Sequence, residues 1–281
     1  MRLTTRLHDR DAAGMTYVYP VVSRRARGVS IGINLNTNNA CNWRCVYCQV
    51  PDLVFGKAPE VDLALYEAEL RRMLEAVVHG DFLERCAPPE ARRLNDVAFS
   101  GNGEPTSSPR FGEAVDVALS VLGDLGLKGE IKVVVITNGS LVHQPQVLAA
   151  LKAIAPHRGE VWYKLDSATD EGAERLNSSR SGVARAVQNL RLSAAACPTW
   201  IQTMALARRG EPPSPAERGA YLALLADLVA EGVPIEGVHL YGLERKSYQP
   251  EAPELSPLPR EWLERFGAEI RALGLRAVVS P

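Results

Sequence analysis

Aromatic residues are scarce in this 281-residue chain, at 6%, and neither sign of charge is in excess: 32 Lys and Arg face 33 Asp and Glu, a formal net charge of −1. Near-neutrality excludes a global field that would pull the protein onto nucleic acid or an anionic membrane, so only local basic clusters need weighing. No apolar run approaches the ~20 residues of a membrane-crossing helix; stretches such as Ile131–Thr137 are far too short. Residues 1–11 are polar and lack the apolar centre of a secretory leader. Internal repeats and low-complexity tracts are missing as well. The five cysteines are odd in number, with three inside eight residues, which does not describe a secreted disulfide framework. A cytoplasmic protein without a membrane partner is expected. At 46% hydrophobic residues the chain can bury a core that needs no covalent staples.

Two kinds of segment alternate. Short apolar or β-branched runs occur at Val29–Leu35, Asp96–Phe99, Ile131–Thr137, Val161–Leu165, Trp200–Leu206 and Ile235–Tyr241. Between and after them apolar residues recur with helical period: Tyr66, Leu70, Met73, Leu74 and Val77; Phe111, Val115, Ala118, Leu119 and Leu122; Val183, Val187, Leu190 and Ala194; Tyr221, Leu225, Leu228 and Val229; Trp262, Phe266, Ile270 and Leu273. Ser108-Pro109 predicts an N-cap and first helical residue, and Ser214-Pro215-Ala216-Glu217 adds a capping box. Runs that are apolar throughout suit a parallel sheet covered on both faces. Six strand-then-helix units imply right-handed crossovers and an α/β fold, either a barrel or a doubly wound sheet. Two connections, Ala207–Ser214 and Gly242–Leu258, are long and proline-rich. Both leave strand C-termini, where such folds place their active sites.

The chemistry concentrates in Cys41-Asn42-Trp43-Arg44-Cys45-Val46-Tyr47-Cys48. Thiolates spaced C-x3-C-x2-C can hold three irons of a cubane and leave the fourth open, whereas a purely electron-carrying cluster is normally closed by four cysteines. Structural zinc wants four ligands, usually in two pairs, and no second C-x2-C or nearby Cys/His pair is present.

With that loop following the first strand, the chain resembles the radical S-adenosylmethionine (SAM) superfamily. Gly101-Asn102-Gly103-Glu104-Pro105 resembles the family's GGEP motif, Thr137-Asn138-Gly139 a TNG segment, and Lys164-Leu165-Asp166-Ser167 another SAM-facing strand end. The resemblance implies a partial (β/α)6 barrel of the radical SAM type, with N- and C-terminal extensions. The whole of 1–281 would be a single domain with its core at about 29–241, an N-terminal extension over 1–28, and a loop and helix over 242–281. It implies one [4Fe–4S] cluster on Cys41, Cys45 and Cys48, and SAM contacts from Tyr47, Asn102, Gly103, Glu104, Asn138, Asp166 and Ser167. Asn102 stands where the family has glycine, which leaves Glu104 as the expected ligand of the SAM amino group. Tyr47 is the expected partner of adenine.

Within the superfamily the chain is most similar to the tRNA-wyosine synthase group. The matching segments are Tyr19–Arg25 leading into Ile31–Asn34, the NGEPT and TNGSL segments, Lys164–Asp166, Ile201–Met204 and Gly237–Leu240. That group carries a second cluster on three upstream cysteines; residues 1–40 here contain none, and Cys86 and Cys197 stand alone downstream. Ser247-Tyr248-Gln249-Pro250 matches nothing in the group. The expected reaction is reductive cleavage of SAM to a 5′-deoxyadenosyl radical that takes hydrogen from a substrate, with an electron donor such as flavodoxin or ferredoxin. The substrate is a tRNA nucleoside or nucleobase by resemblance, or a small metabolite or peptide. A non-enzymatic iron–sulfur redox protein is the reading outside enzymology. Arg24, Arg25 and Arg27, and Arg208 with Arg209, are either phosphate contacts or solvated surface. Arg245 and Lys246 lie on the second long connection and are grouped with Arg208 and Arg209 as contacts for an anionic substrate. His239 either faces the site or is a packed strand residue. Lys164 either pairs with a carboxylate or is a buried strand-end contact.

Overall fold

A computed structural model describes residues 2–4, 13–23 and 28–281; the cluster Arg24, Arg25 and Arg27 lies outside the described residues. The chain divides into two compact units, one of Met1–Asn42, Gly56–Ile136 and Gln144–Glu160, the other of Trp43–Phe55, Thr137–His143 and Val161–Pro281.

In the first unit the elements run β1 (Val18–Ser23), β2 (Gly28–Ile33), α1 (Leu63–Val78), α2 (Phe82–Cys86), β3 (Leu94–Phe99), α3 (Phe111–Asp124), β4 (Lys132–Thr137) and α4 (Pro145–Ile154). The strand order is β1-β2-β3-β4. β1 is antiparallel to β2, from Val18 opposite Ile33 to Ser23 opposite Gly28, and the other pairings are parallel. Every residue of β2 is buried; Ser30, its one polar side chain, donates its hydroxyl to Asp96 Oδ1. The expected apolar face of α1 is buried. Glu69 lies on the same buried side, and its carboxylate oxygens each accept a backbone N–H, from Thr16 and Tyr17, at 2.7 Å. Those donors offset the desolvation of the carboxylate and fix the chain where it enters β1.

The expected start of α3 is corrected. Pro105–Ser107 forms a 3-10 turn that Ser108 ends by donating its N–H to Pro105 O at 3.1 Å. Ser108 therefore serves as that turn's C-cap, and α3 begins at Phe111.

β5 (Gly159–Lys164) leads into the second unit, followed by α5 (Asp170–Asn177), α6 (Val183–Ala196), β6 (Thr199–Met204), α7 (Pro215–Ala230), β7 (Ile235–Tyr241), α8 (Arg260–Ala272) and β8 (Ala277–Ser280). The order is β5-β6-β7-β8, all parallel. The capping box of α7 is present: Ser214 Oγ accepts the Glu217 N–H at 3.2 Å, and Glu217 Oε2 accepts the Ser214 N–H at 2.9 Å. Val229, expected on the buried face of α7, is 39% exposed, while Tyr221, Leu225 and Leu228 carry that face. His239 is buried between Trp200 and Trp162, with ring centroids 4.4 and 4.9 Å away; it is a packed strand residue. Among the described residues no helix is long and apolar enough to cross a membrane.

Gly139 shows how tightly β5 is packed. It sits at φ +75°, and a Cβ there would lie 2.0 Å from the ring of fully buried Tyr163. Gly139→Ala should therefore cost about 1–3 kcal/mol, read as a lower denaturant midpoint at unchanged slope. A midpoint equal to that of wild type would mean that Tyr163 yields without cost.

Candidate active site

In the first unit the segment after β2 carries asparagine at 34, 36, 38 and 39. These side chains substitute for regular pairing. Asn34 Oδ1 accepts the N–H of Asn36 at 3.1 Å and of Asn102 at 3.0 Å. Asn36 Nδ2 donates to Ala40 O at 2.9 Å, and Asn102 Nδ2 to Asn39 Oδ1 at 2.6 Å. The residues leading into Cys41 are thus tied to the turn at 101–104. Gly103 completes the fit: a Cβ there would fall 1.9 Å from Ala40 O, so only glycine permits the approach. Glu104 is 2% exposed, and its Oε1 accepts the N–H of Thr106 at 3.1 Å and its hydroxyl at 2.6 Å.

In the second unit the loop bearing Cys45 and Cys48 rests on the end of α5. Arg44 N–H donates to Asn177 O at 3.1 Å and Val46 N–H to Leu176 O at 2.9 Å. Val46 and Tyr47 pack with Met204 and Leu206. The Tyr47 hydroxyl donates to Asp166 Oδ2 and accepts from Lys164 Nζ at 2.7 Å. Lys164 also donates to Tyr241 OH at 3.1 Å and lies 3.7 Å from Asp166 Oδ2. Asp166 accepts further bonds from Met204 N–H at 2.9 Å and Asn177 Nδ2 at 2.7 Å. Asn177 Nδ2 is also 3.3 Å from Cys45 Sγ. Both readings of Lys164 hold together: it is buried, and it pairs with a carboxylate. Burial works against its ammonium, yet Asp166 and Tyr241 outweigh that and hold its pKa above the ordinary value. Burial also pushes the Cys45 thiol up to about 11, with Lys164 pulling it down.

Two expected SAM contacts sit in local turns. Asn138 Oδ1 accepts the N–H and hydroxyl of Ser140 at 3.0 and 2.7 Å, and Ser167 Oγ accepts the Thr169 N–H at 3.1 Å. Sequence reasoning missed Asn177, whose only sign was its place at the end of a short polar helix, and the asparagine network, which the run at 34–39 did signal.

A cleft of about 730 Å³ opens in the second unit, walled by Ser167, Leu206, Arg208, Arg209, Tyr221 and Phe266 among others. The two proline-rich connections meet at its edge, where Ala207–Arg208 pairs antiparallel with Leu255–Ser256. Glu254 accepts from Arg208 at 2.7 Å and from Arg209 at 2.8 Å. These two guanidinium groups, read as phosphate contacts or surface, share one carboxylate, which they hold down to about 2.

None of the three clustered cysteines is in a disulfide, and among the described residues no three His, Cys, Asp or Glu side chains close around a single metal ion. The donor set fits an iron–sulfur cluster: three thiols on one loop, an amide N–H at Cys45 Sγ, and a glycine-only approach beside Cys41.

Residues 35–217, more than half of the chain, match the model of the Radical SAM superfamily. The chain belongs to that superfamily. The chemistry of that family rests on a [4Fe–4S] cluster and SAM. A UPF0026 protein of Helicobacter pylori is 28% identical over 163 residues, 58% of this chain and 46% of that protein. One from Synechocystis sp. is 26% identical over 167 residues, 59% of this chain and 54% of that one. The chain thus spans about half the length of the curated relatives it matches. Among solved structures, a radical SAM methyltransferase from Sphaerobacter thermophilus aligns with a TM-score of 0.62 at 16% identity, covering 93% of this chain and 68% of the other. TYW1 with a lysine–pyruvate adduct bound aligns at 0.51 and 17%, covering 88% and 74%. These likenesses bear out the partial β/α barrel of the radical SAM type.

Asp166→Ala would strand the buried Lys164 ammonium. The change should cost about 3–5 kcal/mol, and the double variant Asp166→Ala/Lys164→Met should recover part of the loss. Denaturant unfolding of the three proteins checks this. A double variant no more stable than the single one would show that the pair's charge is not what matters.

Proposed function

We propose that this enzyme holds one [4Fe–4S] cluster through Cys41, Cys45 and Cys48 and cleaves SAM reductively. The observation that carries the reading is the three-cysteine loop, fastened on the Asn177–Asp166–Tyr47 network and led in beside Gly103. When bound, the cluster supplies one electron to the SAM sulfonium, releasing methionine and a 5′-deoxyadenosyl radical that takes hydrogen from the substrate. The chain's own residues bind and orient. Glu104 offers a buried carboxylate for the SAM amino group, beside Asn102 and Gly103. Asn138, Asp166, Ser167 and Tyr47 are the further SAM contacts in this reading, supported by their match to the family's strand-end segments. All of 1–281 acts as one radical SAM domain in the cytoplasm, reduced by a flavodoxin- or ferredoxin-class donor.

For the substrate, the wyosine synthase-like segments lead to a tRNA nucleoside or nucleobase. A small metabolite or peptide is favoured by one observation: Glu254 already engages Arg208 and Arg209, whereas phosphate binding needs open cations. RNA retention that falls steeply with salt would decide for the first, and its absence for the second.

Reconstituted protein should bind about four irons and form 5′-deoxyadenosine. Alanine at Cys41, Cys45 or Cys48 should abolish both, while Cys86→Ala and Cys197→Ala, at buried positions, keep the iron. About eight irons per chain would overturn the single cluster. Glu104→Gln should keep the iron and weaken SAM binding about tenfold, since an amide cannot match a charge-assisted bond. Unchanged SAM affinity would place the amino group elsewhere.

A further inference from the structure

Ser247-Tyr248-Gln249-Pro250, which falls after the residues that match the family model, lies along the cysteine loop. Ser247 and Gln249 are buried, at 3% and 7% exposure, while the Tyr248 side chain between them is 62% exposed. Three successive residues grip alternate carbonyls of the loop. Ser247 Oγ donates to Val46 O at 2.7 Å, Tyr248 N–H to Cys48 O at 2.9 Å, and Gln249 Nε2 to Val50 O at 3.2 Å. Ser247 Oγ also accepts the Gln249 N–H at 3.0 Å, which stiffens the segment itself. Glu251 then holds Arg44 in a two-bond fork, both bonds 2.7 Å. Residues 44, 46, 48 and 50 are thus all held from one side. Carbonyls in a loop of this kind have no ladder to satisfy them, and each bond supplied by a side chain removes a reason for the loop to rearrange.

We infer that Ser247, Gln249 and Glu251 are positioning residues for the iron-binding loop: they set where Cys45 and Cys48 stand, with or without metal. The inference rests on the proposal that these cysteines hold the cluster. The same segment continues through the turn Ala252–Glu254, whose Glu254 grips Arg208 and Arg209 at the cleft. One strap therefore serves the cysteine loop at one end and the cleft edge at the other.

The test compares cluster retention with fold stability. Reconstituted wild type, Ser247→Ala, Ser247→Thr, Gln249→Glu and Tyr248→Ala are challenged anaerobically with EDTA, and loss of cluster absorbance and iron is timed. Thermal unfolding of each metal-free protein is measured alongside. Ser247→Ala and Gln249→Glu should lose iron about fivefold faster. Ser247→Thr, which keeps the hydroxyl, and Tyr248→Ala, which keeps the backbone bond, should match wild type. Equal rates throughout would overturn the strap's role, as would losses that merely follow the unfolding temperature. If Ser247→Ala gives no soluble protein, Glu251→Gln at the more exposed end carries the same comparison. If wild type takes up no iron, the cluster proposal fails by itself. Amide exchange at Arg44 and Val46 in metal-free protein then decides the strap: faster exchange in the strap variant supports it, and unchanged exchange overturns it.

Discussion

The carboxylate of Asp166 is fully buried, and the second unit is arranged around satisfying it. A charge taken out of water costs several kcal/mol unless its lone pairs and its counter-charge are all supplied. The suppliers come from four separate segments: Tyr47 in the cysteine loop, Lys164 at the end of β5, Met204 at the end of β6 and Asn177 at the end of α5. Removing one leaves the rest paying the desolvation cost, so the network behaves as a unit. That interdependence converts one buried charge into a fixed relation between the cysteine loop and the strand ends on which it rests.

The first unit solves a similar problem without charge. Between β2 and Cys41 the backbone follows neither helix nor strand, so its N–H and C=O groups need other partners. Asparagine supplies a donor and an acceptor on a short stem: Asn34 and Asn39 accept through Oδ1, and Asn36 donates through Nδ2. The close backbone approach at Gly103 then follows from the missing Cβ. Polar exchange here does the positioning that Lys164 and Asp166 do in the other unit.

How far the sequence disclosed this depended on the range of each interaction. Six strands and five of the helices that follow them were legible because apolar period is a local signal repeated over many residues, as in β2 and α1. β1 was not, since Pro20 interrupts its run; the strand is tolerated because it pairs on one side alone, with β2. α4 and α5 were passed over, being short, and α5 mostly polar. Ser108 misled because its hydroxyl does accept a backbone N–H, from Arg110 at 3.3 Å, but the helix begins only at Phe111. The cysteine spacing and the strand-end motifs were readable as text. The Glu254 bridge to Arg208 and Arg209 was not: its partners lie 45 and 46 positions apart, and charge pairing at that separation has no sequence period. Asn177, 132 positions from Cys45, was hidden for the same reason.

The electrostatics around Cys45 show what the network prepares. Lys164 is the nearest buried cation, but Asp166 and Tyr241 already claim it, so the pair brings little net charge to the sulfur. What remains for Cys45 is burial and the Asn177 amide. Burial wins, lifting the thiol to about 11, and at neutral pH the metal-free side chain is therefore a neutral thiol. The neutral thiol adds no uncompensated negative charge beside the Lys164–Asp166 pair. If Cys45 holds iron as proposed, that proton would have to leave, and the thiolate would have the Asn177 amide N–H beside it, at 3.3 Å. The donor that such a thiolate would need is thus supplied by the same amide that serves Asp166.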